Sequence, residues 1–322
     1  MADYQDIRGL RVKYLSADPS TTTEGEVWYN STSGTLKASV LGTAAWSSGG
    51  NVVSGRNNVA CLGLQTAAMM MGGHPPSGAT SGLSESYDGT TWTEGSNLAA
   101  NQDYAAGAGT QAAGLCFGGA PNLTETAEYD GTNWTEAGNL NTGRSTLCGA
   151  GTQTAGLGFS GYTPIRNSTE EYNGTGWTAG GNLGTARYAG FGFGTQTAAV
   201  MATGDIGPVP TSAVEEYNGA SWTAATAYPG AGTYAAGCGT QTAGLGFAGG
   251  IPYPSGYGVS CNAYDGSTWS VQPNMATAGG RSQGAGTQAA GLMASGGPSA
   301  GRLAASEEFN AAAAETQTLT TS

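Results

Sequence analysis

GTQTAGLGFSGYTPIRNSTEEYNGTGW, residues 151–177, decides the fold, because nearly the same text returns along most of the chain. Gln153 has counterparts at Gln65, Gln111, Gln196, Gln241 and Gln288, and Trp177 at Trp92, Trp134, Trp222 and Trp269. Five residues before each Trp stands Tyr87, Tyr129, Tyr172, Tyr217 or Tyr264; in the last copy Phe309 takes that place and no Trp follows. A period of 42 to 47 residues lies in the range of propeller blades or helical repeats. The text inside the period decides for strands. After each Gln, large and tiny residues alternate, as with Leu157 and Phe159 among Gly156 and Gly158, which is a period of two. The run ends at a Gly of fixed offset (Gly73, Gly119, Gly161, Gly204, Gly249, Gly296). A loop, a polar strand such as TEEY, an Asp-Gly or Asn-Gly pair and a strand opening on Trp follow. Asp-Gly and Asn-Gly favour a type I′ hairpin turn. With the Gly/Ala strand upstream of each Gln, the unit is a meander of four antiparallel strands, a to d.

The Gly doublets Gly72-Gly73, Gly118-Gly119, Gly249-Gly250 and Gly296-Gly297, followed by Tyr-Asp or Tyr-Asn and then Trp, resemble the kelch repeat over residues 44–310. Ser160-Gly161 and Thr203-Gly204 depart from the doublet. The resemblance implies a β-propeller, and six Gln-phased copies imply six blades. AAWSSGG (44–50) reads as strand d with no a, b or c before it, while the sixth copy stops after strand c at Phe309. The orphan strand therefore completes the last blade, with Trp46 where that blade needs one. The expected organisation is an all-β chain in three parts. Residues 1–43 form a small N-terminal β-hairpin attachment module, 44–310 a six-bladed kelch-like propeller closed by an N-terminal strand, and 311–322 a polar tail.

Composition narrows the function. The chain has 322 residues, ten Lys and Arg against 22 Asp and Glu, and a formal charge of −12. Phosphate neutralisation needs basic residues, so nucleic acid is a poor partner. The five Cys have no framework spacing and read as small buried thiols, which suits a reducing compartment. No run approaches the length of a membrane span, and the charged opening MADYQDIRGLRVKYL does not read as a signal peptide. His74 is the one histidine, which excludes zinc or copper sites built on several imidazoles. Adjacent strand residues face opposite ways, so Glu170-Glu171, Glu215-Glu216 and Glu307-Glu308 read as solvated outer charges rather than paired carboxylates. The chain calls for no catalytic residue, metal or cofactor.

EGEVWYNSTSGTLKASV (24–40) reads as a hairpin that cannot bury Trp28 and Tyr29 alone, because two strands are marginal in water. With the Gly-Thr-Gln repeats, this leader resembles tail-fibre-like structural proteins of marine tailed phages. That resemblance implies a virion surface protein, assembled in the host cytoplasm. Residues 1–40 lie outside the repeat and are expected to attach the protein to its particle; the partner that covers Trp28 and Tyr29 is the propeller flank, a second copy of the chain or another virion protein. Residues 1–40 carry a net charge of −1 against −11 for the rest, so they can approach an acidic neighbour more easily.

In a meander the a–b and c–d turns share one face, the b–c and d–a connections the other. The first face repeats its text. On the second, the fixed Gly lies 10 to 15 residues from the next aromatic, and nine of the twelve prolines fall in the b–c loops. Irregular loops on a rigid scaffold carry binding. The expected contact residues for a host-surface glycan are Tyr162, Arg166, Tyr253 and Tyr257. Arg56, Arg144 and Arg187 stand nine residues before their Gln, and Arg281 seven before. They either ring a funnel mouth and grip an anionic sugar or phosphate, or bond structurally to neighbouring carbonyls; the structural reading is favoured.

Overall fold

The computed structural model describes residues 12–207, 209–250, 256–297 and 302–319. Every regular element among them is a β-strand, and the strands form seven four-stranded sheets. Six belong to the unit Trp46–Asn310, the seventh to a unit made of Met1–Ala45 and Ala311–Ser322. The protein is a β-propeller with an appended β module.

The repeat quoted above gives one propeller sheet: Cys148–Thr152, Ala155–Phe159, Thr169–Tyr172 and Trp177–Ala179, in that order and antiparallel throughout. The tight a–b turn explains the Gly of Gly-Thr-Gln. Gly151 has φ +99°, and a Cβ there would sit 2.2 Å from the Ala155 carbonyl oxygen. The c–d turn differs from expectation. Only the Gly takes positive φ (Gly174, +89°), so the central pair is Gly174-Thr175, the φ pattern of a type II′ rather than a type I′ turn. The preceding Asn173 instead accepts the N–H groups of Thr175 and Gly176 on its side chain, at 3.0 Å each.

Five further sheets begin at Ala60–Leu64, Ala106–Thr110, Phe191–Thr195, Ala236–Thr240 and Gly284–Gly286. In the last, Gly284–Gly286, Ala290–Ala294 and Ser306–Asn310 are followed by Ala45–Ser48 as the fourth strand. Its Trp46 lies 5.1 Å from Phe247 and 5.4 Å from Phe309. Trp177 has the same two neighbours, the preceding sheet's Phe117 at 4.7 Å and its own sheet's Tyr172 at 5.1 Å.

Three sets of hydrogen bonds link successive sheets and return from the last to the first. Each Gln side chain donates to two carbonyls of the preceding sheet: Gln153 to Gly114 and Tyr129, Gln196 to Gly156 and Tyr172, and Gln65 to Gly291 and Phe309 of the last. The fixed Gly donates forward, Gly161 to the Arg187 carbonyl and Gly296 to that of Arg56. Residues seven before each Gln form a ring about the axis. Tyr104 donates its N–H to Asn58, Thr146 to Tyr104, Ala189 to Thr146, Tyr234 to Ala189, Arg281 to Tyr234 and Asn58 to Arg281, at 2.5 to 3.1 Å. All six hold left-handed φ between 50° and 60°, a conformation that costs a non-Gly residue about 1–3 kcal/mol. The ring of bonds offsets that cost.

The second unit corrects the expectation of a hairpin plus a free tail. Its sheet runs Lys13–Leu15, Val27–Asn30, Thr35–Leu41, Ala314–Thr318; the first pair is parallel, the others antiparallel. The carboxyl-terminal segment is thus a strand, with Ala314–Thr318 paired residue by residue to Lys37–Leu41. Trp28 is 1% exposed and donates its indole N–H to Asp18 at 3.0 Å, so it is not available as an attachment contact. Asp18 also pairs with Lys37 and accepts from Asn30, and these hydrogen bonds hold its pKa at about 2. Tyr29, half-buried, stacks 5.2 Å from Tyr14.

Candidate binding face and axial mouth

The arginines nine residues before their Gln do not reach solvent. Arg56, Arg144 and Arg187 are fully buried and pair with Glu85, Glu170 and Glu215, one pair inside each of three sheets. Burial pulls each guanidinium below its ordinary pKa, against the opposing pull of its glutamate. Arg144 also donates to the Ser160 and Ser168 carbonyls, and Glu170 accepts the N–H groups of Asn141 and Thr142. These residues knit the b–c and d–a loops together and are unavailable to a ligand. The glutamate pairs are corrected with them. Glu170, Glu215 and Glu307 are buried, at 3, 6 and 5% exposure. Their neighbours Glu171, Glu216 and Glu308 accept the hydroxyls of Tyr217, Tyr264 and Tyr87 from the next sheet.

Arg281 is a different case, and the spacing of seven rather than nine was the signal. It belongs to the axial ring with Asn58, Tyr104, Thr146, Ala189 and Tyr234, and its guanidinium lies 5.1 Å over the Tyr234 ring. These six residues line the mouth of an axial cavity of about 80 Å³. Below them Gln283 spans to the second repeat, accepting from the Gly107 N–H and donating to the Ala105 carbonyl. Tyr104 and Tyr234 approach to 6.2 Å. The sequence reading missed the five residues that accompany Arg281, because their side chains differ and only their phase to Gln marks them.

Tyr162 is 42% exposed on the third b–c loop, 4.8 Å from Tyr188, whose hydroxyl donates to Asp205 at 3.2 Å. Arg166 is on the same loop and donates to the Thr163 carbonyl. Tyr257 is half-buried, and its ring packs against Gly280, where a Cβ would come within 2.2 Å. Tyr253 lies outside the described residues. Tyr162 and Arg166 therefore sit on the loop rim, and Tyr257 and Arg281 sit together toward the axis. His74 has a partner the sequence did not show: Nδ1 lies 3.4 Å from Asp103 of the next sheet.

All five Cys are buried free thiols; burial raises their pKa, to about 12 for Cys61, Cys148 and Cys261. No group of three or more His, Cys, Asp and Glu is placed to hold a metal among the described residues, and no helix among them is long and apolar enough to cross a membrane.

Comparison with known proteins places the fold. No family model matches the chain, and no curated protein does. Among solved structures, "Structure of YjhT" aligns with TM-score 0.67 and 10% identity over 83% of this chain and 99% of that one. It is one of 311 matching chains, and at that identity the likeness establishes the propeller and nothing finer.

Proposed function

We propose that the chain is a non-enzymatic, kelch-like six-bladed propeller whose last blade is completed by Ala45–Ser48. We propose that it serves on the surface of a tailed-phage virion as a fibre- or spike-like component and contacts a host-surface glycan through the b–c loop face. The contrast between the two propeller faces carries this reading. On the Gly-Thr-Gln face the repeated polar side chains are committed to the scaffold, the Gln amides to neighbouring carbonyls and the turn Asp or Asn to local N–H groups. The opposite face carries loops of unequal length, the Tyr162 and Tyr188 pair, and the open mouth at Tyr104, Tyr234 and Arg281. Tyrosines give rigid contact area with a hydroxyl for sugar hydrogen bonds. The appended sheet serves in this reading as the attachment module for other virion proteins, with Tyr29 and Tyr14 rather than buried Trp28 as its aromatic surface.

The test is adsorption of particles carrying Tyr162→Ala with Arg166→Ala, set against particles altered at the c–d turns, such as Thr175→Ala. Weaker adsorption from the loop pair alone, at unchanged melting temperature, is the expected result. Equal effects would sink the face assignment. Immunogold labelling of the particle reports the location independently: label at a tail or fibre tip supports a receptor role. Label spread over the capsid favours the second reading, a decorating protein without a receptor.

A further inference from the structure

Strand c of four sheets carries a buried glutamate in the same niche, beneath the d–a loop that enters its sheet. The carboxylate accepts N–H groups from that loop: Glu85 from Val53 and Ser54, Glu170 from Asn141 and Thr142, Glu215 from Gly184, and Glu307 from Ala276 and Thr277. The other two sheets have lost the glutamate in different ways. In the fifth, Asn262 takes its position and donates to the Tyr228 hydroxyl, while Pro229 removes a loop N–H that a carboxylate would have taken. That niche is refitted. In the second, Ala127 takes the position and the loop keeps its shape. Leu98 and Gln102 donate to the Gly82 and Ser81 carbonyls, as Leu140 and Arg144 donate to those of Thr124 and Leu123. Ala99 and Ala100 therefore present the N–H pair that Asn141 and Thr142 give to Glu170, with a methyl group in place of the carboxylate. Gln102 fills only the arginine's share of the space. It donates to the Glu125 carbonyl, as Arg144 does to that of Ser168, and accepts from the Cys116 thiol. What remains is a cavity of about 250 Å³ whose walls include Leu98, Ala99, Ala100, Ala127, Trp134 and Glu136.

The lining selects a neutral amide over an acid. The Ala99 and Ala100 N–H groups call for an acceptor. Glu136, paired opposite Ala127 on strand d and exposed, calls for a donor, and a ligand carboxylate would meet its like charge. Leu98, Ala127 and the Trp134 ring supply apolar wall between the two. We propose that this niche binds the acetamido group of an N-acetylated amino sugar. The acetamido carbonyl accepts from Ala99 and Ala100, its N–H donates to Glu136, and its methyl lies against Ala127 and Trp134. The d–a loops share the b–c face, so the site rests on the reading of that face as glycan-binding, and it names the class of sugar.

The experiment titrates the full-length protein calorimetrically with methyl N-acetylglucosaminide, methyl glucoside, acetate and Nε-acetyl-lysine amide. Expected is binding of the acetylated sugar about tenfold tighter than the glucoside, the worth of one or two net hydrogen bonds, and tighter than acetate or the acetyl-lysine. Ala127→Glu, which restores the carboxylate of the repeat, should abolish that preference at an unreduced melting temperature, since Glu307 occupies the same niche without an arginine. Glu136→Gln should weaken the acetylated sugar and strengthen acetate. No binding, equal binding of the two sugars, tightest binding of acetate, or a preference that survives Ala127→Glu would overturn the proposal. Tightest binding of the acetyl-lysine would overturn its assignment to a sugar. If the niche fails while the Tyr162 and Arg166 pair still lowers adsorption, the face assignment stands and only this site falls.

Discussion

Glu170 is held by more than Arg144, and this sets an asymmetry between the two residues. Its carboxylate accepts two backbone N–H groups as well as the guanidinium. In the last sheet Gly279 replaces the arginine, and Glu307 is held by the N–H groups of Ala276 and Thr277. A carboxylate stands in this niche without an arginine in the last sheet, whereas no sheet carries the arginine without its glutamate, although Arg144 also donates to the Thr142, Ser160 and Ser168 carbonyls. Glu170→Ala should therefore destabilise by about 3–5 kcal/mol, the cost of a stranded buried charge, and Arg144→Gln by distinctly less, read from denaturant midpoints at constant slope. Equal losses would refute the asymmetry. The pairing could have been read from the repeat itself. The second sheet lacks the arginine and has Gln102 and Ala127 at the two positions, and the fifth has Gly232 and Asn262. Strand alternation puts one glutamate of each adjacent pair outward. It could not show that the inward one lies beneath a loop that starts nine residues before the Gln.

Between elements, four of the aromatics before the c–d turns do more than pack. Tyr87, Tyr172, Tyr217 and Tyr264 donate to Glu308, Glu128, Glu171 and Glu216 of the preceding sheet, at 2.5 to 2.8 Å. Where the aromatic is Phe309, the partner position holds Ala263, so hydroxyl and carboxylate are absent together. All four tyrosines have raised pKa values, Tyr87 and Tyr217 to about 12, first through burial and then through donation to the carboxylate. A folded pKa above the unfolded value near 10 stabilises fully below pH 10 and is lost as pH rises through 12. The melting temperature should fall across that window, and Tyr217→Phe paired with Glu171→Ala should flatten the fall, since it copies the Phe309 and Ala263 pair. The buried thiols titrate in the same direction, so the difference between variant and parent isolates the tyrosine; an unchanged profile would exclude it. The strand pattern, the meander and the Trp positions were legible at this scale because they follow from local periodicity and turn chemistry. The Gln clamps were not: a Gln repeated in phase shows that a position matters, but its bonds run to residues about 24 and 40 positions earlier.

Over the whole molecule, the proposed ring stands or falls at the seam between the last sheet and the first. Four repeated kinds of bond cross it: Gln65 to Gly291 and Phe309, Tyr87 to Glu308, Asn58 to Arg281, and Gly296 to Arg56. Ala45–Ser48 meanwhile covers Ser306–Asn310, with Gly49 donating to the Ser306 carbonyl at 2.9 Å. Without it that strand would present an open edge. Trp46→Ala should cost about 2 kcal/mol, below the range for a fully buried Trp because this ring is half-exposed. If Ala45–Ser48 merely rested on the propeller, the substitution would be silent in denaturant melts. The sharper measurement compares seams. Gln196 links the third and fourth sheets, which are consecutive in the chain, and makes the same two bonds that Gln65 makes across residues 226 and 244 apart in sequence. Each substitution by Ala uncovers two carbonyls and should cost about 1–3 kcal/mol. In a closed ring the first–last seam bears the same load as any other, so Gln65→Ala should match Gln196→Ala within the error of the melt. In an open array it would loosen only one end, leaving a lower-melting fraction in the transition while Gln196→Ala shifted the whole. A single cooperative transition displaced equally by both supports closure; a split transition for Gln65→Ala alone refutes it.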